Sequence, residues 1–147
     1  MLEYKTLPDK WIRKAIYDVI NGTTVNGVDI KLYDTRIPVD EAPDAYILMS
    51  DQTATPVKDN KCEYNYNCTF RLEVICQYPR AGNAGSRVLL NDICDLVRSS
   101  FNTLFTLEAP EGLTVQWQDI SFGTDINNIA GSYLIYRKAI IASFYVS

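Results

Sequence analysis

The stretch from Lys61 to Pro79, KCEYNYNCTFRLEVICQYP, constrains the fold of this chain most strongly. Its even positions are Cys62, Tyr64, Tyr66, Cys68, Phe70, Leu72, Val74, Cys76 and Tyr78. The odd positions are polar or charged apart from Ile75 and the closing Pro79. Period-two alternation places one set of side chains on each face of a strand. It runs here well beyond the usual strand of about 5–6 residues. A ribbon of that length is expected to outrun a compact core, so its far end needs a cover from elsewhere.

The whole chain of 147 residues fits one domain, spanning 1–147, and a domain of this size buries enough surface to fold without staples. The formal net charge of −4 opposes a general grip on nucleic acid, which requires clustered Lys and Arg to displace counterions. It equally opposes binding to an anionic membrane. No apolar run approaches the roughly 20 residues of a spanning helix. MLEYKTLPDK lacks a basic start followed by an apolar stretch. No secretion signal is therefore expected, and the chain should work in the compartment where it is made.

The four cysteines fit a reducing setting. Cys62, Cys68 and Cys76 share one face of the ribbon, and six residues of extended chain span roughly 20 Å. Disulfide partners need Cα atoms about 4.4–6.8 Å apart, so a straight ribbon keeps these thiols from pairing with one another. Cys94 lies on the apolar side of a helical pattern with Leu90, Val97 and Phe101. All four read as buried, reduced thiols. There is no Cys-x-x-Cys and no histidine, so neither zinc nor any other metal or cofactor is expected.

Along the chain, TLPDKWIRKAIYDVING reads as a helix, with Thr6 and Asp9 as a loose capping box, Pro8 in the first turn and Gly22 at the stop. GVDIKLYDT reads as a strand, RIPVDEAPD as a loop, AYILMSDQ as a second strand and TATPVKDN as a hairpin tip. The ribbon follows, then the turn PRAGNAGS and a second helix over about Ser86 to Phe105. LTVQWQDISFG reads as a fourth strand, with Val115, Trp117 and Asp119 on one side and Gln116, Gln118 and Ile120 on the other. TDINNIAGS reads as a loop. YLIYRKAIIASFYV is apolar on both faces over much of its length and reads as a central last strand. The expected fold is α+β: a mostly antiparallel sheet of about five strands with both helices on one face, order α-β-β-β-α-β-β, and a long extended hairpin.

Catalytic chemistry finds little purchase. Without histidine there is no Ser–His or Cys–His nucleophile, and no enzymatic role is expected. Asp34, Asp40, Glu41 and Asp44 surround the proline loop, where solvated loop charge explains them. Gly82, Gly85 and Arg80 or Arg87 stand between a strand and a helix, where an anion could sit. The Walker and dinucleotide patterns are both absent there. NGT at Asn21 and NCT at Asn67 match the glycosylation pattern, which carries no weight without secretion. Most of the ten tyrosines occupy strand positions that favour aromatics. Tyr64 and Tyr66, at the outer end of the ribbon, fit either cross-strand packing or a protein interface.

WIRKAIYDVI, then LYDTRIPVDEAPDAYILMS, the ribbon, GSRVLLNDICDLVRSSF and two further strands resemble the tail-terminator and tail-completion proteins of tailed bacteriophages. Pro38, Pro43, Tyr46, Ile47 and Leu48 fit the proline, tyrosine and hydrophobic strand found there, with Asp44 and Ala45 intervening. The resemblance covers most of the chain in element order.

It implies a structural virion subunit, made in the bacterial host cytoplasm. The subunit would form a closed ring, roughly six- or twelve-fold, at the head–tail junction or tail top. Its implied partners are copies of itself and adjoining portal, adaptor, stopper or tail proteins. DNA would pass through the lumen without sequence-specific binding, and an acidic lumen would keep it from sticking. No catalytic residues carry over. The expected partner-facing residues are Val57 and Lys58 at the hairpin tip, Tyr64 and Tyr66 on the ribbon, Arg36 in the proline loop and Arg80 after the ribbon. The competing expectation is a small soluble binding module with a ligand or peptide pocket between helices and sheet.

Overall fold

The computed structural model describes residues 7–34, 44–57, 65–79, 87–101, 107, 113–130 and 133–147. The elements run α1 (Asp9–Ile20), β1 (Thr23–Val25), β2 (Val28–Asp34), β3 (Ala45–Val57), β4 (Asn65–Pro79), α2 (Val88–Ser100), β5 (Val115–Phe122), β6 (Ile126–Ala130) and β7 (Tyr133–Val146). One curled, mixed sheet takes the order β1-β2-β3-β4-β7-β5, with β6 beside β7 as well.

This architecture corrects the expected α+β fold of about five mostly antiparallel strands in the order α-β-β-β-α-β-β. Strands make up 61% of the described residues, so the protein is mostly β, a half-barrel with two helices. Two strands were not expected. Thr23–Val25 turns back on Val28–Ile30 through Asn26 and Gly27, both at positive φ (52° and 79°), the backbone that a two-residue hairpin demands. Ile126–Ala130, expected as a loop, lies antiparallel against Tyr133–Arg137. In addition, β2 and β3 are parallel, Leu32 facing Ile47. The link over 35–44 is long enough to carry the chain back to the same end of the sheet, whereas a two-residue turn would impose an antiparallel pair.

The long alternation has a plain physical explanation. β4 is paired along nearly its whole length, with β3 from Asn65 to Cys76 and with β7 from Tyr66 to Pro79. On the inner face Tyr66, Cys68, Phe70, Leu72, Val74 and Cys76 are all buried. Their cover comes from α1 (Ile12, Ile16, Ile20) and α2 (Leu90, Ile93, Cys94, Val97), with Phe101, Leu107 and Leu113 in the same core. The sheet curls around this cover, so even the outer end of the strand meets the chain's own interior. Complete burial of a side chain such as Phe70 or Leu72 contributes about 1.5–3 kcal/mol.

The helices are amphipathic at the spacing this core requires. α1 buries Ile12, Ile16 and Ile20 and exposes Lys10, Arg13, Lys14 and Asp18. Pro8 is its N-cap, and the Pro8 carbonyl accepts hydrogen bonds from the Trp11 and Ile12 amides (3.1 and 2.9 Å). The expected capping Thr6 lies outside the described residues. The second helix begins at Val88 and ends at Ser100, inside the expected span.

Two bulges reset which side chains face inward. Between Met49 and Asp51 the register slips by one. Before it Ala45, Ile47 and Met49 face the core; after it Gln52 and Ala54 lie opposite the inward-facing Phe70 and Cys68. A second slip lies between Val115 and Trp117. It sends Val115 into the core and Trp117 out beside Tyr145, separating two residues expected on one side. β7 is central, paired on one edge with β4 and on the other with β5 and β6.

Candidate interaction surfaces

The sheet has one long edge that is defended and another that is not. Beyond Met49, no described residue of β2 pairs with β3. This free segment reads Ser50 to Val57, with Asp51, Thr53, Thr55 and Pro56 exposed. Proline offers no amide to a visiting strand, and such substitutions are how natural sheets blunt an edge. The hydroxyls of Thr53 and Thr69 bond to each other across the β3–β4 pair, using polar capacity within the chain.

The opposite edge is built from β5 and β6, laid end to end along β7. Phe122 pairs with Ile140, the Gly123 amide donates to the Ala139 carbonyl (2.8 Å), and Ile126 resumes opposite Arg137. A Cβ on Gly123 would sit 3.5 Å from that carbonyl, so the crossing is close but not forbidding. Lys138 meets Asp125 at 2.8 Å beneath the joint, and this hydrogen-bonded carboxylate raises the lysine pKa. Among the described residues no strand pairs with the outer side of β5 or β6. Large apolar groups stand in solvent along it: Ile126 is 58% exposed, Ile129 56% and Trp117 48%. Tyr133 and Ile141 of β7 are likewise exposed, each 44%.

A third surface is a cleft of about 720 Å³ beside α1, lined by Lys10, Arg13, Lys14, Tyr17, Asp34 and Gln52, with the buried Met49 also in its wall. Arg13 bridges Asp34 (3.0 Å) and Gln52 (2.9 Å), and Gln52 donates to the Asp9 carbonyl (2.8 Å). The Arg13–Asp34 pair is half exposed, so it orders the wall more than it stabilises the fold.

The expected partner-facing residues are not brought together into one described patch. Tyr66 is 6% exposed and belongs to the core, so its ring is used within the chain. Val57 is half-buried at the end of β3, opposite Asn65. Arg36, Lys58, Tyr64 and Arg80 lie outside the described residues. So do Asp40 and Glu41 of the acidic loop and Gly82 and Gly85 of the anion-binding candidate. Arg87 is the N-cap of α2 and stands over the Tyr136 ring at 5.8 Å.

Burial pushes the thiols of Cys68 and Cys76 up to about 12 and that of Cys94 to about 11, so all three are protonated and inert at neutral pH. Cys62 lies outside the described residues. Among those described, no cluster of His, Cys, Asp and Glu could hold a metal ion, and no helix is long and apolar enough to cross a membrane. Compared with protein-family models and with curated proteins, the chain matches none.

Proposed function

We propose that this chain is a structural subunit of a ring at the head–tail junction or tail top of a tailed bacteriophage, completing the DNA channel and joining neighbouring neck or tail proteins. The observation that carries the reading is the β5–β6 edge, whose outer side pairs with no described strand and which holds Ile126, Ile129 and Trp117 in solvent. An edge of that kind is an aggregation hazard for a free monomer and an asset for a subunit that is always covered. The sequence resemblance supplies the setting, and the net charge of −4 suits a conduit that DNA must traverse without sticking.

Light scattering on the purified chain, with negative-stain imaging alone and after mixing with purified capsids and tails, tests this. Rings, or incorporation into the virion neck, are expected. A monomer at every concentration that never joins a virion would overturn the reading. The cleft beside α1 favours a second reading, a small binding module, since its volume falls within the range of ligand pockets, about 300–1,000 Å³. A ligand-dependent rise in melting temperature in a chain that never assembles would support that alternative.

A further inference from the structure

Asn-Gly occurs twice in the chain, at Asn21–Gly22 and at Asn26–Gly27. This is the dipeptide at which a polypeptide most readily attacks itself. Glycine has no Cβ to obstruct the approach of its own backbone nitrogen to the Cγ of the preceding asparagine. The new N–C bond closes a succinimide ring, and the side-chain amide leaves as ammonia, which takes up the proton lost from the glycine nitrogen. Water then opens the ring at either carbonyl, leaving an aspartyl or an isoaspartyl residue. No electrons are exchanged, and water is the sole co-reactant.

The two steps lie on one hairpin but are held differently. Asn21 is half-buried at the end of α1, and its Oδ1 accepts the Leu32 amide at 3.0 Å. The Gly22 amide, which would be the nucleophile, donates to the Ile30 carbonyl at 2.9 Å. Both reacting groups of that step are therefore tied to β2. Asn26 and Gly27 form the exposed turn between β1 and β2. Among the described residues no backbone carbonyl accepts the Gly27 amide. The space is open at both glycines, with nothing within 4 Å of where a Cβ would stand, so hydrogen bonds and not crowding separate them. Asn26 has one hold: its Nδ2 donates to Asp92 Oδ2 on α2 at 2.6 Å, across 66 positions of sequence. That bond fixes the side chain that the Gly27 nitrogen must reach. It is exposed to solvent, and β1 has three residues, so the turn opens at small cost.

We infer that Asn26 is a site of spontaneous deamidation restrained by Asp92, and that Asn21 is locked against the same reaction. The change has a structural consequence. It replaces the amide donor at position 26 with a carboxylate that faces the Asp92 carboxylate at hydrogen-bonding range, where like charges repel. The polar tie between the β1–β2 turn and α2 is lost, while Val25, Ile30, Leu90 and Ile93 keep their places in the core.

Incubation of the folded chain at mildly alkaline pH, followed by trypsin, tests this. Cleavage after Lys14 and Lys31 carries both asparagines in one peptide, residues 15–31. Fragmentation mass spectrometry then reads which of them gains one mass unit. The expected gain is at Asn26 and not at Asn21 in the folded chain, and at both in denaturant. Asp92→Ala should speed the reaction at Asn26 roughly five-fold, the factor that one net hydrogen bond controls. Asn21, in the same peptide, reports whether that variant has unfolded. Asn26→Asp should lower the melting temperature, and Asp92→Asn added to it should restore it, because a donor again faces a carboxylate. Equal gain at Asn21 and Asn26 in the folded chain would overturn the inference. So would an Asn26 that reacts in denaturant and never in the folded chain, an unchanged rate in Asp92→Ala, or a double variant that melts no higher than Asn26→Asp alone.

Discussion

Two hairpins make up most of this sheet, and they treat their apolar residues in opposite ways. In β3–β4 the hydrophobic face turns inward for its full described length, including Tyr66, and the free edge carries Asp51, Thr53, Thr55 and Pro56. In the hairpin of β5 and β6 with β7, Ile140, Ala142 and Phe144 enter the core, but Trp117, Ile126, Ile129 and Ile141 face water. The first hairpin satisfies the monomer. The second spends apolar area where the monomer gains nothing from it. Equal alternation in sequence therefore carries different meanings, decided by which strand lies in the centre and which at the rim.

Paired substitutions offer the sharpest way to break that contrast. Tyr66→Ser should cost about 3 kcal/mol or more, in the range of large-to-small changes at buried aromatics, read by denaturant unfolding. Ile129→Ser should stay within about 0.5 kcal/mol of the parent, as exposed positions do. If the two variants unfold at the same midpoint, the division into a satisfied hairpin and an unsatisfied one fails.

Alkaline titration sharpens it from the inside. The Cys68, Cys76 and Cys94 thiols lie above the ordinary value of 9.0 because burial disfavours the thiolate. Burial likewise raises Tyr46 above 10.0, opposed by Arg137. A group whose folded pKa is raised contributes its full stability below the unfolded pKa and loses it as pH rises toward the folded value. The melting temperature should thus hold between pH 7 and 9 and fall progressively from about 9 toward 12. In the same experiment a thiol reagent should leave these three cysteines unmodified until denaturant is added. Rapid native labelling of any of them would contradict the buried ribbon.

The smallest expected effect lies at the joint of the exposed hairpin. Asp125→Asn removes the carboxylate that holds Lys138 at 2.8 Å, and should cost about 1 kcal/mol or less because the pair is only partly shielded. The Lys138 pKa should fall in the same variant, which NMR titration of the ammonium would report. An unchanged lysine would mean that the ion pair does not form.

Much of this fold is legible in the sequence. The isoleucines of α1, the ribbon and the central position of β7 all follow from local periodicity, because each buries its apolar face in the ordinary way. The parallel step between β2 and β3 was not legible, since alternation records which face is buried and says nothing of a neighbour's direction. The strand Ile126–Ala130 was hidden because its centre, Asn127 and Asn128, has poor strand propensity, and only pairing with β7 extends it. The hairpin at Asn26–Gly27 carries a strong signal, an Asn-Gly pair between two short runs of strand-forming residues. The exposed edge is hidden together with the strand that forms it. Residues 124–132 read as a loop and not as an edge, whereas Tyr66, at the outer end of the ribbon in sequence, is enclosed by the curl of the sheet.

The placement of β7 has a consequence for how the chain comes into being. β4 leaves the ribosome well before β7, yet β7 is the strand that joins it to β5 and β6. Until that late segment emerges, the nascent polypeptide holds β4 with one margin open and β5 with no mate in the sheet. Closure of the sheet must then wait for β7, and it proceeds by slow, long-range pairing. During that interval a holdase chaperone would find its natural client, and crowding of sibling chains on one message would be the hazard.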